Sequence, residues 1–149
     1  MLSPVVLKVG ALTLCGLKSA ATVPARRTIL FSHATGFCKE VFIPIVNQLR
    51  RQGVEDADLF MFDVRSHGDS GVANDAILAP NSTRRCHPKE CALTLHVCLA
   101  GNNWWDIGSD LMSIATTLKQ GKGPDHELYG VGHSGSGTAM YDIFYELSC

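Results

Sequence analysis

The sequence predicts an α/β domain, a mostly parallel sheet flanked by helices, and three observations carry that prediction. Three short runs, Thr28–Ser32, Ala57–Phe62 and Leu128–Val131, are apolar almost without interruption, the pattern of strands buried on both faces. Each run ends in a glycine-containing turn, at His33–Phe37, Asp63–Ser70 and Gly132–Gly137, where the chain must change direction. Helical periodicity follows each turn, directly or after an irregular stretch, and strands alternating with helices give parallel order.

The elements follow in chain order. Val5–Lys8 and Ala11–Leu17 read as a pair of short strands turned near Gly10. After the first buried run, Phe42, Ile45, Val46 and Leu49 recur at helical spacing. Pro44 lacks an N–H, so a regular helix is expected to begin about there, and Gly53 closes it. Ile107, Leu111, Ile114 and Leu118 mark one face of a helix from Trp105 to Lys119, which Gly121 and Gly123-Pro124 end. A last helix-compatible stretch covers Thr138–Leu147. Pro80–Gly101 breaks the rhythm: it has no periodicity and holds Cys86, Cys91 and Cys98 of the six cysteines. A connection this long inside a compact domain is either a surface insertion or lid, or a translated intron, and residues 80–103 are set apart on that ground.

Composition narrows the function classes. With 46% apolar residues, 18% charged residues and a formal charge of −1 over 149 residues, the chain is expected to be one globular domain. It lacks the basic surplus that nucleic acid requires. The longest weakly polar stretch, Val9–Leu17, is far below the roughly 20 residues of a membrane span. Pro4 and Val5-Val6-Leu7 precede the first basic residue, Lys8, so the charged start of a signal peptide is missing and a cytoplasmic location is expected. Cys86 and Cys91 have four residues between them, the upper limit for a zinc pair, and no second tight pair follows, so thiols on a solvated loop are expected rather than a metal site. Asn81-Ser82-Thr83 is a glycosylation pattern of consequence only in a secreted chain.

The chemistry concentrates at the third buried run. Ser134 stands between a strand and a helix among small residues, Gly132-His133-Ser134-Gly135-Ser136. A serine presented on so tight a turn needs glycine or a very small residue two positions to either side. Gly132 meets that need, and Ser136 stands where glycine is usual. Taking Ser136 as the nucleophile instead would put Ser134 and Thr138 at its flanks, a poorer fit.

At this point the chain resembles the α/β-hydrolase superfamily, in particular its lipase- and esterase-like serine hydrolases. Three motifs in the family's order carry the resemblance. His33-Ala34-Thr35-Gly36-Phe37 resembles the oxyanion loop, and Asp63-Val64-Arg65-Ser66-His67-Gly68-Asp69-Ser70 is similar to the turn after the fourth strand. Gly132-His133-Ser134-Gly135-Ser136 looks like the nucleophile elbow. The resemblance implies Ser134 as nucleophile, with the backbone N–H groups of Thr35 and Gly135 as the oxyanion hole. It implies a small ester or acyl substrate and no cofactor, because serine acyl transfer needs none. Ala34, Ser66 and Ser136 each replace a glycine of the family pattern. His33, His67 and His133 read as structural, and Trp104 and Trp105 as packing residues over the helix.

Two parts of the family's machinery are not found. Serine needs a histidine to take its proton and a carboxylate to orient that histidine, and in this fold both follow the serine. Asp142 and Glu146 follow Ser134, but no histidine does. The expectation is therefore the N-terminal half of an α/β-hydrolase fold, inactive by itself, spanning 1–149 as a partial domain. Its last strand is expected to be an exposed edge through which copies could associate. The alternative is a non-catalytic α/β module that binds an acyl or other small ligand, or pairs through that edge.

Overall fold

The computed structural model describes residues 1–78 and 104–147. Five strands, β1 (Leu2–Val9), β2 (Leu12–Ser19), β3 (Arg27–Ser32), β4 (Ala57–Phe62) and β5 (Glu127–Gly132), form one sheet in the order β1-β2-β4-β3-β5. β3 lies parallel to both β4 and β5, whereas the β1–β2 hairpin joins β4 antiparallel. The helices are α1 (Ile43–Arg51), α2 (Gly68–Ala73), α3 (Asp75–Leu78), α4 (Trp104–Lys119) and α5 (Gly135–Leu147). This is the expected α/β class with a mostly parallel sheet flanked by helices.

Alternation along β3 and β4 divides the core into two layers. Phe31, Leu59 and Met61 face one side, where Phe42 and Val46 cover them. Leu30, Phe60 and Phe62 face the other and pack with Ile107, Leu111 and Ile114 of α4 and Ala139 and Met140 of α5. All six residues of β4 are buried, which explains why its sequence is apolar at every position but Asp58 rather than alternating; Asp58 accepts the Ala21 N–H at 3.0 Å and meets Lys18 at 3.3 Å. Each large apolar side chain so enclosed contributes about 1.5–3 kcal/mol relative to exposure.

Several boundaries differ from the sequence expectation, each for a local reason. β1 starts at Leu2, not Val5, and runs through Pro4, which pairs with Leu17; an edge strand has room for a residue without an N–H. A 3-10 turn over Lys39–Phe42 leads into α1, with Pro44 in its first turn as expected. α5 starts at Gly135 rather than Thr138, because the Ser134 carbonyl already accepts the N–H groups of Gly137 and Thr138. α2 begins within the expected polar turn Asp63–Ser70, and α3 follows where no element was expected.

α2 has a clear structural task. β4 pairs with β2 only over Gly16–Ser19, so the preceding residues of β2, paired with β1 on one side, lack a strand partner on the other. Side chains replace the missing strand. The Ser70 hydroxyl accepts the Cys15 N–H at 2.8 Å and donates to the Asp63 carbonyl at 3.0 Å. Asn74, fully buried, accepts the Thr13 N–H at 2.7 Å and donates to the Thr13 carbonyl at 2.9 Å. Buried backbone polar groups are thereby satisfied without a fourth strand at that point.

Trp105 corrects the packing expectation, being 82% exposed. The Trp104 side chain and the Asp142 and Glu146 side chains lie outside the described residues. So do the irregular segment 80–101, Cys86, Cys91, Cys98, His87, His96 and the Asn81 triplet. Among the described residues, no helix is long and apolar enough to cross a membrane.

Candidate active site

The site is built where three parallel strands deliver their carboxyl ends side by side. Ser32 ends β3 opposite Phe62 of β4 on one side and Gly132 of β5 on the other. The three sequence motifs begin just after these residues, so strand pairing alone brings loops 33–37, 63–70 and 133–137 together.

Ser134 occupies the sharpest of these turns. Its φ of 58° makes it the one non-glycine residue in the left-handed region among those described, a conformation that costs on the order of 1–3 kcal/mol. Four features hold it there. The His133 N–H continues the β3–β5 pairing by donating to the Ser32 carbonyl at 3.1 Å. The Ser134 carbonyl caps α5 by accepting the Gly137 N–H at 2.8 Å. A Cβ on Gly132 would lie 2.5 Å from the Gly137 Cα and 2.6 Å from the Ser136 carbonyl oxygen, so only glycine lets strand and helix approach this closely. Ser136, buried, donates its hydroxyl to the His33 carbonyl at 2.7 Å. The serine that replaces a family glycine thus bolts the elbow to the end of β3. Sequence reasoning missed this bond and also the part of Gly137, for which the only signal was its glycine identity.

Ser134 is exposed, and Gly135 follows it as the first residue of α5, where helix geometry leaves the N–H without an intrahelical acceptor. Thr35, also exposed, lies in the turn closed by the Phe37 N–H donating to the Ala34 carbonyl at 3.1 Å. The Phe37 and His133 rings meet at 6.1 Å between centroids across the gap between these two loops. The loop that carries Thr35 and the turn that carries Ser134 are therefore neighbours.

The turn after β4 carries a buried polar cluster. Asp63, fully buried, accepts the Lys39 N–H at 2.8 Å, the Lys39 ammonium at 2.7 Å and the Asp69 N–H at 2.9 Å. Lys39, itself buried, also meets Asp69 at 2.7 Å and Glu40 at 2.9 Å. Burial raises the Asp63 carboxyl above its ordinary value against the pull of Lys39. Burial alone would lower Lys39, but hydrogen bonds to Asp63, Asp69 and Glu40 outweigh it and raise its pKa. Gly68 completes the cluster: with φ of 49°, a Cβ there would stand 2.4 Å from the Asp63 carboxylate. Arg65 leaves the same turn outward and grips Asp110 of α4 with two hydrogen bonds of 2.7 Å.

Both buried histidines serve as fixed, neutral acceptors. Desolvation lowers His33 and His67 to about 4. His33 Nε2 accepts the Val64 N–H at 3.1 Å, and His67 Nε2 accepts the Gly36 N–H at 3.1 Å. His126 is bonded to Thr28 at 2.9 Å, away from the elbow.

The comparison with known proteins now has a geometry to meet. No protein-family model matches the chain, and no curated protein matches it in sequence. Solved structures do. A dienelactone hydrolase from Anabaena variabilis superposes with a TM-score of 0.61 at 17% identity, covering 98% of this chain and 57% of that one. The Cif epoxide hydrolase from Acinetobacter nosocomialis gives 0.59 at 15%, covering 97% and 34%. The peroxisomal α/β-hydrolase Lpx1 of Saccharomyces cerevisiae gives 0.56 at 20%, covering 93% and 38%. The fold is that of the α/β-hydrolases. This chain spans between about a third and three fifths of the length of these structures, consistent with the N-terminal half of an α/β-hydrolase fold.

Proposed function

We propose that this chain carries the nucleophile half of a serine hydrolase that cleaves small carboxylic esters through an acyl-enzyme at Ser134. The single observation behind the reading is the strained, exposed Ser134 at the head of α5. Strain of this kind persists only where surrounding contacts impose it, and it is typical of functional positions.

In this reading Ser134 Oγ attacks the ester carbonyl carbon as its proton passes to a general base. The carbonyl π electrons move onto oxygen, where the N–H groups of Thr35 and Gly135 receive the developing charge. Collapse of the tetrahedral intermediate expels the alcohol, protonated by the same base, and leaves the acyl group on Ser134. Water then repeats the sequence and releases the acid. Residues 1–149 offer no histidine after Ser134, and His33 and His67 are spent on backbone N–H groups. In this reading neither buried histidine is the base, and the 149 residues alone are expected to hydrolyse esters negligibly.

Fluorophosphonate labelling of the full-length gene product tests this. The expected result is a single adduct on the peptide containing Ser134, abolished in Ser134→Ala. Absence of that adduct in the folded protein overturns the reading in favour of a non-catalytic ligand-binding module.

A further inference from the structure

Thr35 is flanked by two peptide planes, and a histidine ring holds each. The carbonyl of the Ala34–Thr35 peptide accepts from His33 Nδ1 at 2.9 Å and from the Phe37 N–H at 3.1 Å. The N–H of the Thr35–Gly36 peptide donates to His67 Nε2 at 3.1 Å. A trans peptide is planar with its N–H opposed to its carbonyl. Fixing the Ala34 carbonyl therefore turns the Thr35 N–H away from His33, and fixing the Gly36 N–H prevents the next plane from swinging.

The two rings come from different loops and cross over. His33, on the loop after β3, accepts the Val64 N–H of the turn after β4. His67, in that turn, accepts the Gly36 N–H of the loop after β3. Their centroids are 5.4 Å apart and both are buried. Each loop thus lends a ring to the other loop's backbone. The tautomer follows from the partners: an Nε2 that accepts must be unprotonated, so the proton of neutral His67 sits on Nδ1, facing the Ser66 hydroxyl at 3.0 Å. Ser66 replaces a glycine of the family pattern, and here its hydroxyl can accept the Nδ1 proton that the Gly36 bond to Nε2 dictates.

We propose that His67 is a positioning residue which, by holding the Gly36 peptide, keeps the Thr35 N–H in the direction that the His33-bound Ala34 carbonyl sets, toward the oxyanion. The proposal deepens the serine-hydrolase reading and rests on it for the meaning of Thr35. The clasp itself is independent of that reading.

The test uses the full chain with His67→Phe, which keeps a ring but removes the acceptor, and His67→Gln, whose amide oxygen restores one. His67→Phe is expected to speed Gly36 amide exchange at least about tenfold and to slow fluorophosphonate acylation of Ser134 by about 10–100-fold. His67→Gln is expected to recover most of both. Unchanged Gly36 exchange in folded His67→Phe overturns the clasp, and unchanged acylation overturns its positioning role. Nitrogen NMR of unmodified protein decides the point if the variant fails to fold. A proton on His67 Nδ1 with coupling from the Gly36 N–H to Nε2 supports the clasp, and a proton on Nε2 refutes it. Unlabelled Ser134 in unmodified protein would overturn the hydrolase reading alone, because Gly36 exchange and the ring tautomer would still judge the clasp.

Discussion

β4 and β5 are six-residue parallel neighbours of β3, yet they live in different surroundings. Every residue of β4 is buried, whereas β5 is exposed at all positions but Leu128. β4 lies between β3 and β2; β5 ends the sheet among the described residues. The loops differ accordingly. The turn after β4 is locked by the Asp63–Lys39 cluster, by Asn74 and by the grip of Arg65 on α4. The elbow after β5 is held mainly through its ties to β3. The turn after β4 is therefore stabilised by burial, and the turn that presents Ser134 is stabilised by backbone fit.

The largest expected effect tests the buried half. Asp63→Ala leaves the Lys39 ammonium without its most buried partner, and breaking such a pair costs about 3–5 kcal/mol. Urea unfolding should show that loss, and a midpoint close to that of the unmodified protein would contradict the contrast. Gly132→Val tests the elbow. Its side chain would overlap the Gly137 backbone, and overpacking of this kind costs about 1–3 kcal/mol. Ser134 labelling should vanish while β4 amides remain protected from exchange. Loss of protection throughout would show that the two halves do not stand apart.

Acid should act on the buried half as well. The folded pKa values of His33 and His67, about 4, lie below the ordinary value near 6.5. Between those limits the unfolded chain binds more protons, so stability falls as pH drops from about 6.5 to 4. His67→Gln should flatten part of that slope in urea midpoints taken across the range; an unchanged slope would contradict the burial of a neutral ring. The smallest effect belongs to β5. Tyr129, 45% exposed and bonded to Glu127, should change stability by no more than about 0.5 kcal/mol on replacement by alanine.

The sequence revealed this fold wherever local chemistry and tertiary context agree. The runs Thr28–Ser32 and Ala57–Phe62 are mostly apolar because both faces are covered, and Gly132 and Ser134 announce a tight turn because few other residues permit one. What escaped was settled by partners distant in sequence. Ser70 read only as part of a polar turn and Asn74 carried no signal, since nothing local shows that the β2–β4 pairing stops short of Cys15. Ser136 looked like a tolerated departure from glycine, although its hydroxyl reaches His33, 103 residues earlier. His67 gave a sign of a structural role but none of its partner, Gly36. Trp105 misled because apolar character does not by itself say that a helix position is covered.

The most direct test of the account is to trap the acyl group. The full-length protein would be mixed with a short-chain p-nitrophenyl ester, quenched in acid within milliseconds, digested and mapped by mass spectrometry. The account predicts one acyl group per chain, carried on Ser134. An acyl group on another residue, or none despite turnover, would contradict it.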